Sequence, residues 1–157
     1  NMSKTIKIIL FMLLTAIIII QFIPVDRDNP EVQEEIAAPA EVKTILQRSC
    51  YDCHSNKTEW PFYSYIAPVS WFVANDVQEA REDMNFTEWN KYDAEDKSHF
   101  REDILELVEK GAMPLKSYKT MHPDSEVSQS EIEIIRQWVK QEAGGEFEHE
   151  HSHDHDH

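Results

Sequence analysis

The run CYDCHS at residues 50–55 holds the only two cysteines of the chain, three apart, with His54 directly after the second. Four chemistries can use such a run. A thioredoxin-like dithiol needs a strand ahead of the first cysteine, in a β-rich fold. A structural zinc site needs two further protein ligands, from His99, His122 or acids, and no paired ligand motif supplies them. A plain disulfide would close a tight, weakly stabilising loop and leave His54 unexplained. Covalent attachment of one c-type haem uses all three residues. The thiols of Cys50 and Cys53 add to two vinyl groups, and the His54 imidazole reaches the iron from the same side. The sequence favours this last reading.

An electron carrier generally fills the second axial position of its iron, whereas a catalyst or gas sensor leaves it open. Met113, in the stretch GAMP, is the first candidate. A thioether stabilises ferrous iron, and the following proline stiffens the loop that carries it. His122, also followed by a proline, is the alternative axial ligand; Met84 and Met121 are weaker ones. His99 sits in a charged stretch and is expected to face solvent. Trp60, Tyr63 and Trp71 are candidate walls of the haem pocket, with Trp71 and Trp138 also expected in the core. In the tail, His149, His151, His153, His155 and His157 alternate with carboxylates, a pattern that can hold a divalent metal weakly.

The elements that must position these residues read as helices. Glycine is scarce and alternating β-branched runs are hard to find. Val42, Ile45 and Leu46 have helical spacing and lead straight into the cysteines. An aromatic loop follows, broken by Pro61 and Pro68. Trp71, Phe72 and Val77 then form a candidate buried stripe, and Thr87 is a candidate N-cap. Residues 93–110 carry Phe100, Ile104, Leu105 and Val108 on one face, ending at Gly111. Ser128 and Glu131 form a capping box for a last helix with Ile132, Ile135, Trp138 and Val139 inside, which Gly144 and Gly145 should stop.

At the N-terminus, residues 6–25 are almost wholly apolar. Twenty helical residues span roughly 30 Å, the thickness of a bilayer core. Lys4 and Lys7 precede the run and acids follow it, which orients a single-pass helix with the remainder exported. The expected organisation is an anchor at 1–25, a tether at 26–39, a haem domain at 40–144 and a disordered, acidic, His-rich tail at 145–157. The location that follows is the bacterial inner membrane, with the haem domain on the periplasmic side. Acids outnumber bases 30 to 15, for a net charge of -15. That balance excludes nucleic acid as a partner and suits a basic patch on a redox protein.

The chain also resembles a known family. CYDCHSNKTEWPFYSYIAPVSWFVANDVQEAREDMNFTEW and GAMPLKSYKTMHPDSEVSQSEIEIIRQWV look like the bacterial haem-binding domain family of small c-type cytochromes. The CxxCH run, IAPVSW, the Met-Pro pair and the HPD before the last helix carry the resemblance, which covers about residues 42–139. It implies an all-α, cytochrome c-like fold around covalent haem and says little about the physiological reaction. The expected function is periplasmic electron transfer with His54 and Met113 as axial ligands, the membrane as one partner and a redox protein, such as a respiratory complex, as another. The alternative is a haem-based sensor or a peroxidase-like enzyme with an open or labile sixth position.

Overall fold

The computed structural model describes residues 3–150, with side chains through residue 143. Its helices are α1 (Lys4–Ile20), α2 (Ala40–Ser49), α3 (Tyr51–His54), α4 (Val69–Asp83), α5 (Ala94–Glu109), α6 (Lys116–Met121) and α7 (Gln129–Glu150), with short 3-10 turns between them. Among the described residues no strand forms, and one isolated bridge pairs Glu34 with Glu88. The all-helical expectation therefore holds for the domain.

Three helices build the core. Val42, Ile45 and Leu46 of α2 meet Ile104 and Val108 of α5 and Ile132, Ile135, Trp138 and Val139 of α7 in one buried cluster. Each such side chain contributes about 1.5–3 kcal/mol when fully buried. Caps set the helix ends. Asp93 accepts from the Asp96 N–H at 2.9 Å to open α5. Ser128 and Glu131 form the capping box that opens α7, the Ser128 N–H donating to Glu131 Oε2 at 2.8 Å. Arg48 of α2 donates to the other oxygen of Glu131 at 2.6 Å, so the same cap ties α7 to α2.

The N-terminal expectation is corrected. No helix among the described residues is long and apolar enough to cross a membrane. The apolar run is continuous, but the helix is not: α1 has 17 residues, roughly 26 Å at 1.5 Å each. It ends at Ile20, four residues before Pro24, which has no N–H for the Ile20 carbonyl and disfavours helix at residue 23. Gln21 donates to the Ala67 carbonyl at 3.2 Å and accepts from the Ala67 N–H at 3.0 Å. The transmembrane helix, the single-pass inner-membrane location and the periplasmic placement that rested on it are therefore withdrawn.

Residues 26–39 are not a free tether either. Ile36 is fully buried in the core cluster. The N–H groups of Gln33 and Ile36 donate to the carbonyls of Thr87 and Phe86 at 2.9 and 2.7 Å, and the Trp89 N–H donates to the Glu34 carbonyl at 3.0 Å. The buried Ile36, the backbone bonds to the 84–89 segment and side-chain bonds from Arg27 to the Ser64 carbonyl and Asn29 to the Thr58 carbonyl hold it down.

That 84–89 segment differs from expectation as well. Phe86, Thr87 and Trp89 are buried, and Thr87 caps no helix. Its hydroxyl accepts from the Asn56 N–H at 2.8 Å and donates to Asn85 Oδ1 at 2.8 Å. On α4 the buried stripe is Ser70, Val77 and Ala80, while Trp71 is half-buried and Phe72 exposed. Finally, α7 runs through Gly144 and Gly145 to Glu150. Glycine costs a helix about 1 kcal/mol relative to alanine, without breaking it as proline does. His151, His153, His155 and His157, and the side chain of His149, lie outside the described residues, and with them the tail's metal-binding expectation.

Candidate functional site

Cys50 is the hinge between α2 and α3: it closes the first helix and opens the second. Its carbonyl accepts from the N–H groups of Cys53 and His54 at 3.1 and 3.0 Å. This single helical turn sets both thiols and the imidazole close together. The turn is braced from outside. The Ser55 hydroxyl donates to the Tyr51 carbonyl at 2.6 Å, Arg81 of α4 donates to the Ser55 carbonyl at 2.8 Å, and the Phe86 N–H donates to the His54 carbonyl at 2.8 Å.

The imidazole is oriented by the end of α4. His54 Nδ1 lies 3.1 Å from both the Ala80 and Met84 carbonyl oxygens. Carbonyls only accept, so Nδ1 carries the proton and Nε2 keeps a free lone pair. Burial lowers the ring's pKa, against the two carbonyl bonds, which raise it. Cys50 and Cys53 are free thiols, and burial first of all pushes each up to about 12. Three or more His, Cys, Asp and Glu side chains do not gather into a metal-holding group among the described residues, so the zinc reading finds no further ligands.

Met113 reaches the same place from 59 residues further along the sequence than His54. Gly111 takes a φ of 66°, which glycine adopts without strain. The Gly111 N–H donates to the Val108 carbonyl and the Ala112 N–H to the Leu107 carbonyl, a Schellman turn that ends α5 and reverses the chain. Met113 follows immediately. It lines, with Cys50, Cys53 and His54, one cavity of about 300 Å³. Ala80, Met84, Phe86, Ile104, Leu107, Val108, Pro114 and Leu115 supply the apolar wall, and Asp52, Asp76, Glu79 and Asp83 the acidic part. Two thiols, an imidazole with Nε2 free, a thioether and a largely apolar wall form a donor set that fits haem.

The other sequence candidates lie elsewhere. Trp60 and Trp71 line a second cavity, of about 490 Å³, with Pro24, Val25 and Arg81, and Tyr63 lines neither. Trp138 is buried in the core and His99 is exposed, both as expected. His122 is outside the first cavity: its Nε2 is 2.8 Å from the Tyr63 hydroxyl, and its ring stacks on Tyr118 at 4.3 Å between centroids. Met121 is exposed, and Met84 lines the cavity beside the carbonyl it gives to His54. Sequence reasoning missed Ala80, Phe86, Leu107, Leu115 and Tyr118 as cavity residues. Ile104 and Val108 were legible as a buried stripe, but not as a wall. Leu107, next to Val108, and Tyr118, one helical turn past Pro114, were the signals available.

Comparison with curated proteins finds no match. Comparison with solved structures finds none either. A family model described as a haem-binding domain matches residues 15–141. That span takes in the packed 26–39 segment, the CxxCH turn, the Met113 loop and most of α7, so the cavity and everything that builds it fall inside the match. The chain belongs to the haem-binding domain family.

Proposed function

We propose that this protein is a mono-haem c-type cytochrome that carries single electrons. The observation that supports the reading is the convergence on one largely apolar cavity of two thiols and an imidazole from residues 50–54 with a thioether from residue 113. Haem bound there supplies a one-electron couple between Fe(II) and Fe(III). Cys50 and Cys53 would hold the haem, each S–H adding across a vinyl double bond, sulfur to one carbon and hydrogen to the other, with no atom lost. His54 offers Nε2 while the Ala80 and Met84 carbonyls hold its Nδ1 proton and its ring orientation. Met113 offers its sulfur from the loop after α5. Neither ligand has to leave during electron transfer, which keeps reorganisation small. The acids at the cavity, with the net charge of -15, suit a redox protein that docks through a basic patch.

Visible and magnetic circular dichroism spectra of the haem-loaded chain, oxidised and reduced, test the reading beside Met113→Ala. A low-spin spectrum with a long-wavelength sulfur-to-iron band, lost in the variant, is expected. Haem that survives acid–organic extraction on the chain is expected from the thioether bonds. A high-spin native spectrum with ready carbon monoxide binding would instead favour the sensor or peroxidase-like reading.

A further inference from the structure

Tyr118 joins the two halves of the cavity. It lies on α6, five residues after Met113, and lines the cavity itself. Its hydroxyl donates to Asp52 Oδ2 at 2.6 Å, and Asp52 stands between Cys50 and Cys53 in the CxxCH turn. This is the short, charge-assisted kind of hydrogen bond, roughly twice as strong as a neutral one. The other oxygen of Asp52 accepts from the Glu59 N–H at 3.0 Å, so the carboxylate is held on both sides. Behind Tyr118, the His122 ring stacks on it with an interplanar angle of 11°, and His122 is in turn held by the Tyr63 hydroxyl. The array runs from the CxxCH turn through α6 to the 3-10 turn at Phe62–Tyr65.

We infer that Tyr118 is a positioning residue, a latch that holds the Met113 loop against the CxxCH turn. The Met113 loop needs one. Ala112, Met113 and Leu115 carry only backbone bonds to the end of α5 or into α6, and Ala112 and Leu115 are exposed. Pro114 is buried, and among the described residues the Tyr118–Asp52 bond is the hydrogen bond that runs from this stretch to the cysteine turn. On the reading given above, which this inference rests on, the latch sets how readily Met113 leaves the iron. His122 then has a part that its type and neighbouring proline did not suggest: it backs the latch.

The test uses the full haem-loaded chain and the variants Tyr118→Phe and Asp52→Asn. Phe keeps the ring and its stack on His122 while losing the hydroxyl; Asn keeps an acceptor without its charge. Two readouts are followed: the rate of carbon monoxide binding to the reduced protein, and hydrogen exchange of the amides at 112–122. The melting curve is recorded alongside. The latch predicts a rate about tenfold higher in Tyr118→Phe and a smaller rise in Asp52→Asn, with faster exchange confined to 112–122. A rate and an exchange pattern unchanged in Tyr118→Phe overturn it. If the native spectrum lacks the sulfur-to-iron band, the Met113 reading fails on its own; exchange at 112–122 then decides the latch, unchanged protection overturning it and local loss supporting it.

Discussion

Two cavities flank α4, and they differ in what the helix shows them. Asp76, Glu79, Ala80 and Asp83, spaced i, i+3, i+4, i+7, line the cavity that holds Cys50, Cys53, His54 and Met113. Trp71, Ala74, Asn75 and Gln78, with the same spacing, line the other, which holds no sulfur or imidazole. The second is the larger, at about 490 Å³ against about 300 Å³, and it has the two tryptophans that sequence reasoning assigned to a haem pocket. On the function proposed above, size and aromatic content do not mark the site; the donor set does, and the wall that goes with it is largely apolar.

The largest effect that tests this contrast is loss of the attachment residues. Cys50→Ala with Cys53→Ala should abolish acid-stable haem and leave a chain that melts without cooperativity, because the first cavity loses the group that fills it. Extraction and calorimetry read the two parts, and a compact, cooperative variant would break the link between cavity and fold. Met113→Ala should come next: loss of the sulfur band and a potential lower by roughly 100 mV, as a thioether favours ferrous iron. His122→Ala should leave the band in place; a spectrum altered in His122→Ala but not in Met113→Ala would exchange their roles.

On the other side of α4, Trp71→Ala should cost about 2 kcal/mol of stability, since the side chain is half-buried, yet leave the haem spectrum unchanged. A shifted spectrum would mean that the two cavities communicate through α4. The smallest effect concerns neither cavity, and so calibrates both. Hydrogen bonding to Arg48 lowers the Glu131 carboxyl from 4.5 to about 2. A depressed carboxyl stabilises the fold above its unfolded value and loses that contribution as pH falls through its folded one. Glu131→Gln should therefore cost about 1 kcal/mol at pH 7, as a partly exposed pair, with the difference from the native chain shrinking as pH falls from about 4.5 towards 2. Urea melts across that range measure it, and a difference independent of pH would assign the effect to packing.

The legible parts of the fold were those decided by neighbours in sequence. Val42, Ile45 and Leu46, the Ser128–Glu131 box and the Gly111 helix end are local devices, and each occurs where its spacing says. The segment at 26–39 packs on the domain although its polarity and prolines describe a linker, because its buried residue, Ile36, needs Phe86 and Trp89 beside it and its hydrogen bonds reach residues far along the chain. Trp60 and Trp71 line the second cavity and not the one with the cysteines, since an aromatic residue near CxxCH in sequence can still face the other side of α4.

The sequence by itself determined that Cys50, Cys53 and His54 are neighbours, because positions i, i+3 and i+4 of a helical turn lie on one face whatever surrounds them. It also determined the helical class and the helix ends at Gly111 and Ser128, though not those expected at Thr87 and Gly144. The tertiary structure decided what no spacing encodes. It brought Met113 to the cavity and tied His122 to Tyr63 and Tyr118. It also paired Gln21 with Ala67. Met113 and His54, His122 and Tyr63, and Gln21 and Ala67 lie at least 46 residues apart in the sequence, and only packing chooses among partners at that range.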